Sequence, residues 1–144
     1  MATTATCKCG GIHIRIDKIV GAGMCHCLNC RKTTSSAFSI NAVVPASAFH
    51  LERGTPKCFQ APGDPATTAT LNFCGECGSA LWVASPKIPD LRILKAGVLD
   101  GDDALDLEIM KPSMEAFTKR RAPWLCAVNG AAQLEEGPNV KKPE

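Results

Sequence analysis

The chain has 144 residues, 45% of them hydrophobic and 21% charged, with a formal net charge of +2, values that fit one globular domain with a modest core. The near balance of charge gives no strongly basic field of the kind nucleic-acid binding rests on, and the basic residues are scattered apart from the short run Lys119-Arg120-Arg121. No segment has the length of a bilayer span and the opening MATTATCKCG lacks the apolar stretch of a secretion signal, so the expected location is the cytosol, with neither membrane nor nucleic acid as a partner.

In chain order, the first motif is Cys7-Lys8-Cys9-Gly10. Ile12, Ile14 and Ile16 then alternate with His13, Arg15 and Asp17, the period of two expected of a strand with one buried face. A second cluster follows, Cys25-His26-Cys27-Leu28-Asn29-Cys30, with one helical turn expected over 30–35. Short β-branched or apolar runs bounded by Gly, Pro, Asn and Asp predict strands over 37–44, 57–60, 67–73, 79–84 and 91–97. The third cluster, Cys74-Gly75-Glu76-Cys77-Gly78, sits between two of them. A Pro start with an early Glu predicts a short helix over 112–119. From Glu135 the sequence EEGPNVKKPE is almost without apolar residues and reads as a flexible tail, leaving 1–134 as a single domain. The expected fold class is mainly β, with short strands and little helix.

Seven of nine cysteines fall in the three clusters, and an odd total in a reducing compartment points to metal binding or thiol chemistry, not a disulfide framework. Cys7 with Cys9 and Cys74 with Cys77 each supply two ligands followed by a Gly able to take positive φ, so together they complete a closed, structural zinc site. A redox dithiol is the competing reading of Cys74-x-x-Cys77. Cys25, Cys27 and Cys30 place three thiolates within six residues and leave a fourth vertex open, which is the form of a catalytic zinc site. The competing reading there is a second structural zinc closed by a distant ligand. Cys58 and Cys126 read as small buried hydrophobes. His26 reads as a hydrogen-bonding neighbour of the ligands, and His13 and His50 as surface residues.

Taken together, CKCG, CHCLNCRKTTSSAF, NFCGECGSALW, AGVLDG and KRRAPW resemble the glutathione-dependent formaldehyde-activating enzyme family, which also includes centromere protein V. The resemblance extends to about Gly130. It implies a zinc-containing, mostly antiparallel β-tent fold, with Cys7, Cys9, Cys74 and Cys77 at the structural zinc and Cys25, Cys27 and Cys30 at the catalytic one. It further implies carbon-sulfur lyase chemistry, in the named case the reversible condensation of glutathione with formaldehyde. Two departures bear on substrate. Where many members have Ser-Gly-Ser this chain has Thr34-Ser35-Ser36, and Glu115-Ala116 stands where many carry His-Ile. These alter the pocket wall, so the resemblance does not fix formaldehyde as the electrophile.

The expected function is thus a zinc-dependent carbon-sulfur lyase or thiol-addition enzyme acting on glutathione or a similar thiol and a small electrophile or thiol conjugate. Arg31, Lys32 and Arg121 are candidate anchors for the acidic thiol, because guanidinium and ammonium groups pair with carboxylates. Trp82, Trp124 and Phe38 read as core, and Glu115 as a solvated residue near a helix start. The alternative is a non-enzymatic, zinc-stabilised protein-interaction module.

Overall fold

The computed structural model describes residues 2–64 and 68–138. In chain order its elements are β1 (Thr3–Thr6), β2 (His13–Ile16), β3 (Gly21–Cys25), α1 (Leu28–Thr34), β4 (Ser39–Pro45), β5 (Phe49–Arg53), β6 (Lys57–Gln60), β7 (Thr70–Phe73), β8 (Ala80–Ala84), β9 (Leu91–Lys95), β10 (Met114–Ala116) and β11 (Ala132–Gln133). The architecture is mainly β, in two sheets. A three-stranded sheet runs β1-β2-β5, and an eight-stranded sheet runs β11-β10-β3-β4-β9-β8-β7-β6. Pairing is antiparallel except at β10, which lies parallel to both β3 and β11.

The alternation at Ile14 and Ile16 works as the period of two requires: both are buried while His13 and Arg15 are not. Facing them from the larger sheet are Ala42, Val44, Leu94 and Trp82, and the tilted stack of Phe49 on Trp82, 4.8 Å between ring centroids, joins the two sheets. Each fully buried branched side chain here contributes about 1.5–3 kcal/mol of transfer free energy. Among the described residues no helix is long and apolar enough to cross a membrane.

Most expected strands are present within a few residues, though Thr67 of the 67–73 run lies outside the described residues. The helix expected over 112–119 is absent. Its place is taken by β10 and a 3-10 turn at Thr118–Arg120, because Ser113 donates its amide to the Ala22 carbonyl and Met114 enters a ladder with Gly23. Phe117 between them has φ 55°, which no α-helix accommodates. Strand β3 escaped prediction because Gly-Ala-Gly-Met-Cys carries the composition of a loop. The start of the expected tail is hydrogen-bonded to the domain, with the Phe117 amide donating to the Glu136 carbonyl; 139–144 lie outside the described residues.

Candidate functional site

Cys7-x-Cys9 and Cys74-x-x-Cys77 are brought together with all four sulfurs within 4.8 Å of one another. Each pair sits in a tight turn: Gly10 donates its amide to the Cys7 carbonyl and Gly78 to that of Cys74, at 2.9 and 2.8 Å. Gly10 and Gly78 take φ of 79° and 77°, the left-handed conformation their lack of a Cβ allows. The Ile12 amide donates to Cys7 Sγ at 3.2 Å, and the Ser79 hydroxyl, with the amides of Ser79 and Cys9, outweighs burial and lowers the Cys77 thiol to about 5. Donors aimed at sulfur favour the thiolate, the form that binds a soft metal.

The second cluster forms where β3 gives way to α1. Cys25 ends the strand, Cys27 is the helix N-cap, and Cys30 lies in the first turn, donating its amide to Cys27 Sγ at 3.3 Å. That strand-to-helix turn gathers three sulfurs within 4.8 Å, with no fourth ligand among the described residues. The Cys25 and Cys30 thiols, then the Cys30 and Asn29 amides, overcome burial and hold Cys27 down at about 2. The Cys27 and Cys30 thiols, with burial, push Cys25 far up. Four sulfurs in one group and three in the other match the donor sets of a closed and an open tetrahedral metal site.

His26 lies between two of these cysteines and is fully buried. Its amide donates to the Ala116 carbonyl at 3.0 Å and, with Glu115 ionised, its Nε2–H donates to Glu115 Oε1 at 2.8 Å; Nδ1 finds no partner among the described residues. Glu115 is not the solvated residue expected of it. On β10, a strand interleaved with the C-terminal segment, it has no exposed surface. Its Oε2 accepts from the Val128 amide and from Gln133 Nε2, each at 2.7 Å, with Arg121 Nη2 at 3.4 Å. Burial opposes its ionisation, but the bonds from Gln133, His26 and Val128 and the charge of Arg121 prevail and hold the carboxyl at about 2.

Of the expected anchors, Arg31 and Arg121 line one cleft of about 540 Å³ together with Lys119, Arg120 and Trp124. Lys32 is exposed and is not part of its lining. Trp82 is core, whereas Trp124 is 74% exposed because it lies in the irregular stretch between the Thr118–Arg120 turn and β11. Phe38 is half-buried against the His26 ring. Cys58 and Cys126 are exposed rather than buried, the first on β6 at the edge of the large sheet and the second in that same irregular stretch. His13 and His50 are partly exposed and pair with Glu52 and Asp17. Ser35, the position where the resemblance puts a Gly, caps α1 with φ 53°.

Sequence reasoning passed over Lys95, which is 6% exposed beside the cysteine trio. The signal was there: a period of two along Leu91-Arg92-Ile93-Leu94-Lys95 puts the lysine on the same face as two apolar residues.

A mainly β domain with one four-sulfur and one three-sulfur cluster defines a protein of the clustered-thiol class, with two groups of side chains able to hold a metal ion. Residues 2–120 match the sequence pattern of the glutathione-dependent formaldehyde-activating enzymes, and the chain belongs to that family. A Halomonas elongata protein described as a candidate glutathione-dependent formaldehyde-activating enzyme is 30% identical over 108 residues, spanning 71% of this chain and 68% of that one. The crystal structure of a Rhodobacter sphaeroides protein shares the fold, with a TM-score of 0.59 at 24% identity over 73% of this chain and 94% of the other.

Proposed function

We propose that the protein is a zinc-dependent carbon-sulfur lyase that joins an acidic thiol such as glutathione to a small electrophile, or reverses that reaction. The observation that carries this reading is the trio Cys25, Cys27 and Cys30, whose sulfurs converge with no fourth ligand among the described residues. In this reading Cys7, Cys9, Cys74 and Cys77 hold a zinc that fastens the N-terminal hairpin to the large sheet, and the trio holds a second. Zinc bound at the trio would supply Lewis acidity and favour the thiolate form of a sulfur at its open position.

The chain's own residues do the rest. Arg31, Lys119 and Arg120 offer the carboxylates of the thiol a cationic cleft whose lining begins one residue after Cys30. Arg121 bonds Gln133 and lies near Glu115, so it orients the cleft wall as well as adding charge. Lys32 adds charge at the rim of α1. Glu115 fixes the His26 ring and, through it, the loop carrying Cys25 and Cys27.

The reading is tested by incubating zinc-loaded protein with glutathione and formaldehyde, and separately with glutathione conjugates, and following adduct formation or cleavage by mass spectrometry. Acceleration that disappears in Cys27→Ser is the expected result. If wild type and variant behave alike with every pair, the lyase reading is wrong and the zinc-stabilised interaction module takes its place.

A further inference from the structure

Register places the rows of one sheet face side by side. Met114, Gly23, Asn41 and Lys95 are cross-strand partners on β10, β3, β4 and β9; Ala116, Cys25 and Ser39 form the next row, and Val43, Ile93 and Val83 the row on the other side. Cross-strand partners point to the same side of a sheet, and residues two apart along a strand do so too. All of these residues except Ser39 line a cavity of about 240 Å³ that also reaches Cys30. That volume is several times the ~30 Å³ a water occupies in the liquid. Gly23 keeps the floor open, since a Cβ there would come within 3.3 Å of Met114 Cγ.

Into this mostly apolar space the chain puts one cation. Lys95 Nζ donates to Asn41 Oδ1 at 2.9 Å, Asn41 in turn donates to Ser39 Oγ at 2.9 Å, and Lys95 makes no ion pair among the described residues. An ammonium group carries three donors, and a neutral amide takes one. A buried charge with so little compensation is costly to the fold on its own account, which marks it as a group kept for a ligand. Cys30, Val83 and Lys95 also line a neighbouring cavity of about 240 Å³, so the lysine stands where both spaces meet the thiol cluster.

We infer that this cavity receives the electrophile and that Lys95 is the catalytic residue that holds the electrophile's oxygen, the substrate class being a carbonyl compound with a short apolar chain rather than formaldehyde. The inference rests on the lyase reading above and supplies its missing specificity. In the addition direction the thiolate sulfur forms a bond to the carbonyl carbon as the C=O π pair moves onto oxygen. A Lys95 N–H donates to that oxygen as charge develops. The proton lost by the thiol to water is matched by one gained at oxygen, so thiol plus carbonyl compound gives the hemithioacetal. Cleavage is the reverse. The apolar rows hold the chain of the substrate, and Asn41 keeps the ammonium aimed.

Calorimetric titration with butanoate, a non-reacting chain with oxygens at its head, tests the pocket without requiring turnover. Zinc-loaded wild type is expected to bind butanoate at least tenfold more tightly than formate. Lys95→Met should weaken binding of both anions at least tenfold, Lys95→Arg should restore part of it, and Val83→Phe, which fills the floor, should lose the preference for butanoate with the lysine intact. Equal binding of formate and butanoate by wild type, no binding of either, or unchanged binding in Lys95→Met or Val83→Phe overturns the inference. A second measurement follows hemithioacetal formation from glutathione and butanal, where Lys95→Met is expected to lose roughly 100-fold in kcat, the effect of removing one oxyanion donor. Selective butanoate binding by a wild type that accelerates neither this reaction nor any of the glutathione reactions above would reject the lyase reading and leave the Lys95 pocket standing, whereas acceleration with formaldehyde but not with butanal overturns the inference alone. Acceleration that Lys95→Met retains would reject Lys95 as catalytic and leave the lyase reading standing.

Discussion

His26 Nε2 lies 2.8 Å from Glu115 Oε1, and neither side chain has any exposed surface. The two are far apart in sequence, yet this contact fixes the one non-cysteine side chain between Cys25 and Cys27. With the Val128 amide and Gln133 also on the carboxylate, Glu115 is the hub through which the C-terminal segment meets the thiol loop.

Removing the hub leaves buried donors without an acceptor. Glu115→Ala is expected to lower stability by about 3–5 kcal/mol, the cost of breaking a buried charged pair from one side. Urea denaturation of the zinc-loaded proteins measures it. Glu115→Gln keeps the shape but sets an amide N–H against one of the donors, and its loss should be smaller.

The carboxyl of Glu115 is held at about 2 against an ordinary 4.5. A depressed folded-state value means the carboxylate stabilises the fold above the ordinary range, and that contribution drains away as pH falls from about 4.5 toward 2. The stability difference between wild type and Glu115→Gln should therefore be constant from neutral pH to about 5.5 and narrow below 4.5. Acid release of metal acts on both proteins, so the difference isolates the carboxylate. A gap that widens on acidification contradicts this assignment.

Ser35 and Gly54 make a pair of opposite controls on left-handed backbone. Ser35, at φ 53°, carries a Cβ where glycine is at ease, and Ser35→Gly is expected to stabilise by about 0.5–1 kcal/mol after the extra freedom of the unfolded chain is subtracted. Gly54 has φ 87°, and a Cβ there would lie 2.3 Å from the Gly11 carbonyl oxygen. Gly54→Ala should cost at least about 2 kcal/mol, read as a lowered Tm in calorimetry.

The two sulfur clusters should separate by their response to substitution. In the proposed reading Cys74→Ser opens a closed four-thiolate site whose metal holds β1 and β2 to the large sheet, so the variant should lose cooperative unfolding or fail to fold. Cys27→Ser should stay folded and carry one zinc where wild type carries two. Native mass spectrometry beside circular dichroism decides between these patterns.

Arg31 is an exposed residue lining the basic cleft and is not among the described residues that bond to Glu115, which are His26, Val128, Gln133 and Arg121. If the cleft seats the carboxylates of an acidic thiol, Arg31→Ala should raise KM for glutathione about fivefold with little change in kcat, and the effect should shrink at high salt. A fall in kcat at constant KM would assign Arg31 elsewhere.

The grouping of the cysteines was legible because the spacing within each motif is local: Cys7-x-Cys9, Cys74-x-x-Cys77 and the trio each lie within a few residues. The strands that alternate or carry β-branched residues were legible for the same reason. Strand β3 was not, because Gly21 and Gly23 hold their ladder through neighbours rather than propensity. Glu115 was misread as solvated because its acceptor role is created by Val128 and Gln133, which approach only after the chain doubles back. Trp124 was misread as core because an aromatic residue in an apolar run reads as buried whether or not a sheet covers it. Lys95 was overlooked although the period of two in β9 already sets it on the face of Leu91 and Ile93; the register then puts Asn41 and Gly23 beside it in one row.

The family match ends at residue 120, yet the Val128 amide, Gln133 and Arg121 that attend Glu115 all come after it. A version of the protein trimmed to the matching stretch would keep every clustered cysteine while stranding a carboxylate beneath the thiol loop. Anyone transplanting this scaffold, or dividing it for recombination with a relative, should treat the segment through Gln133 as inseparable from the residues it attends.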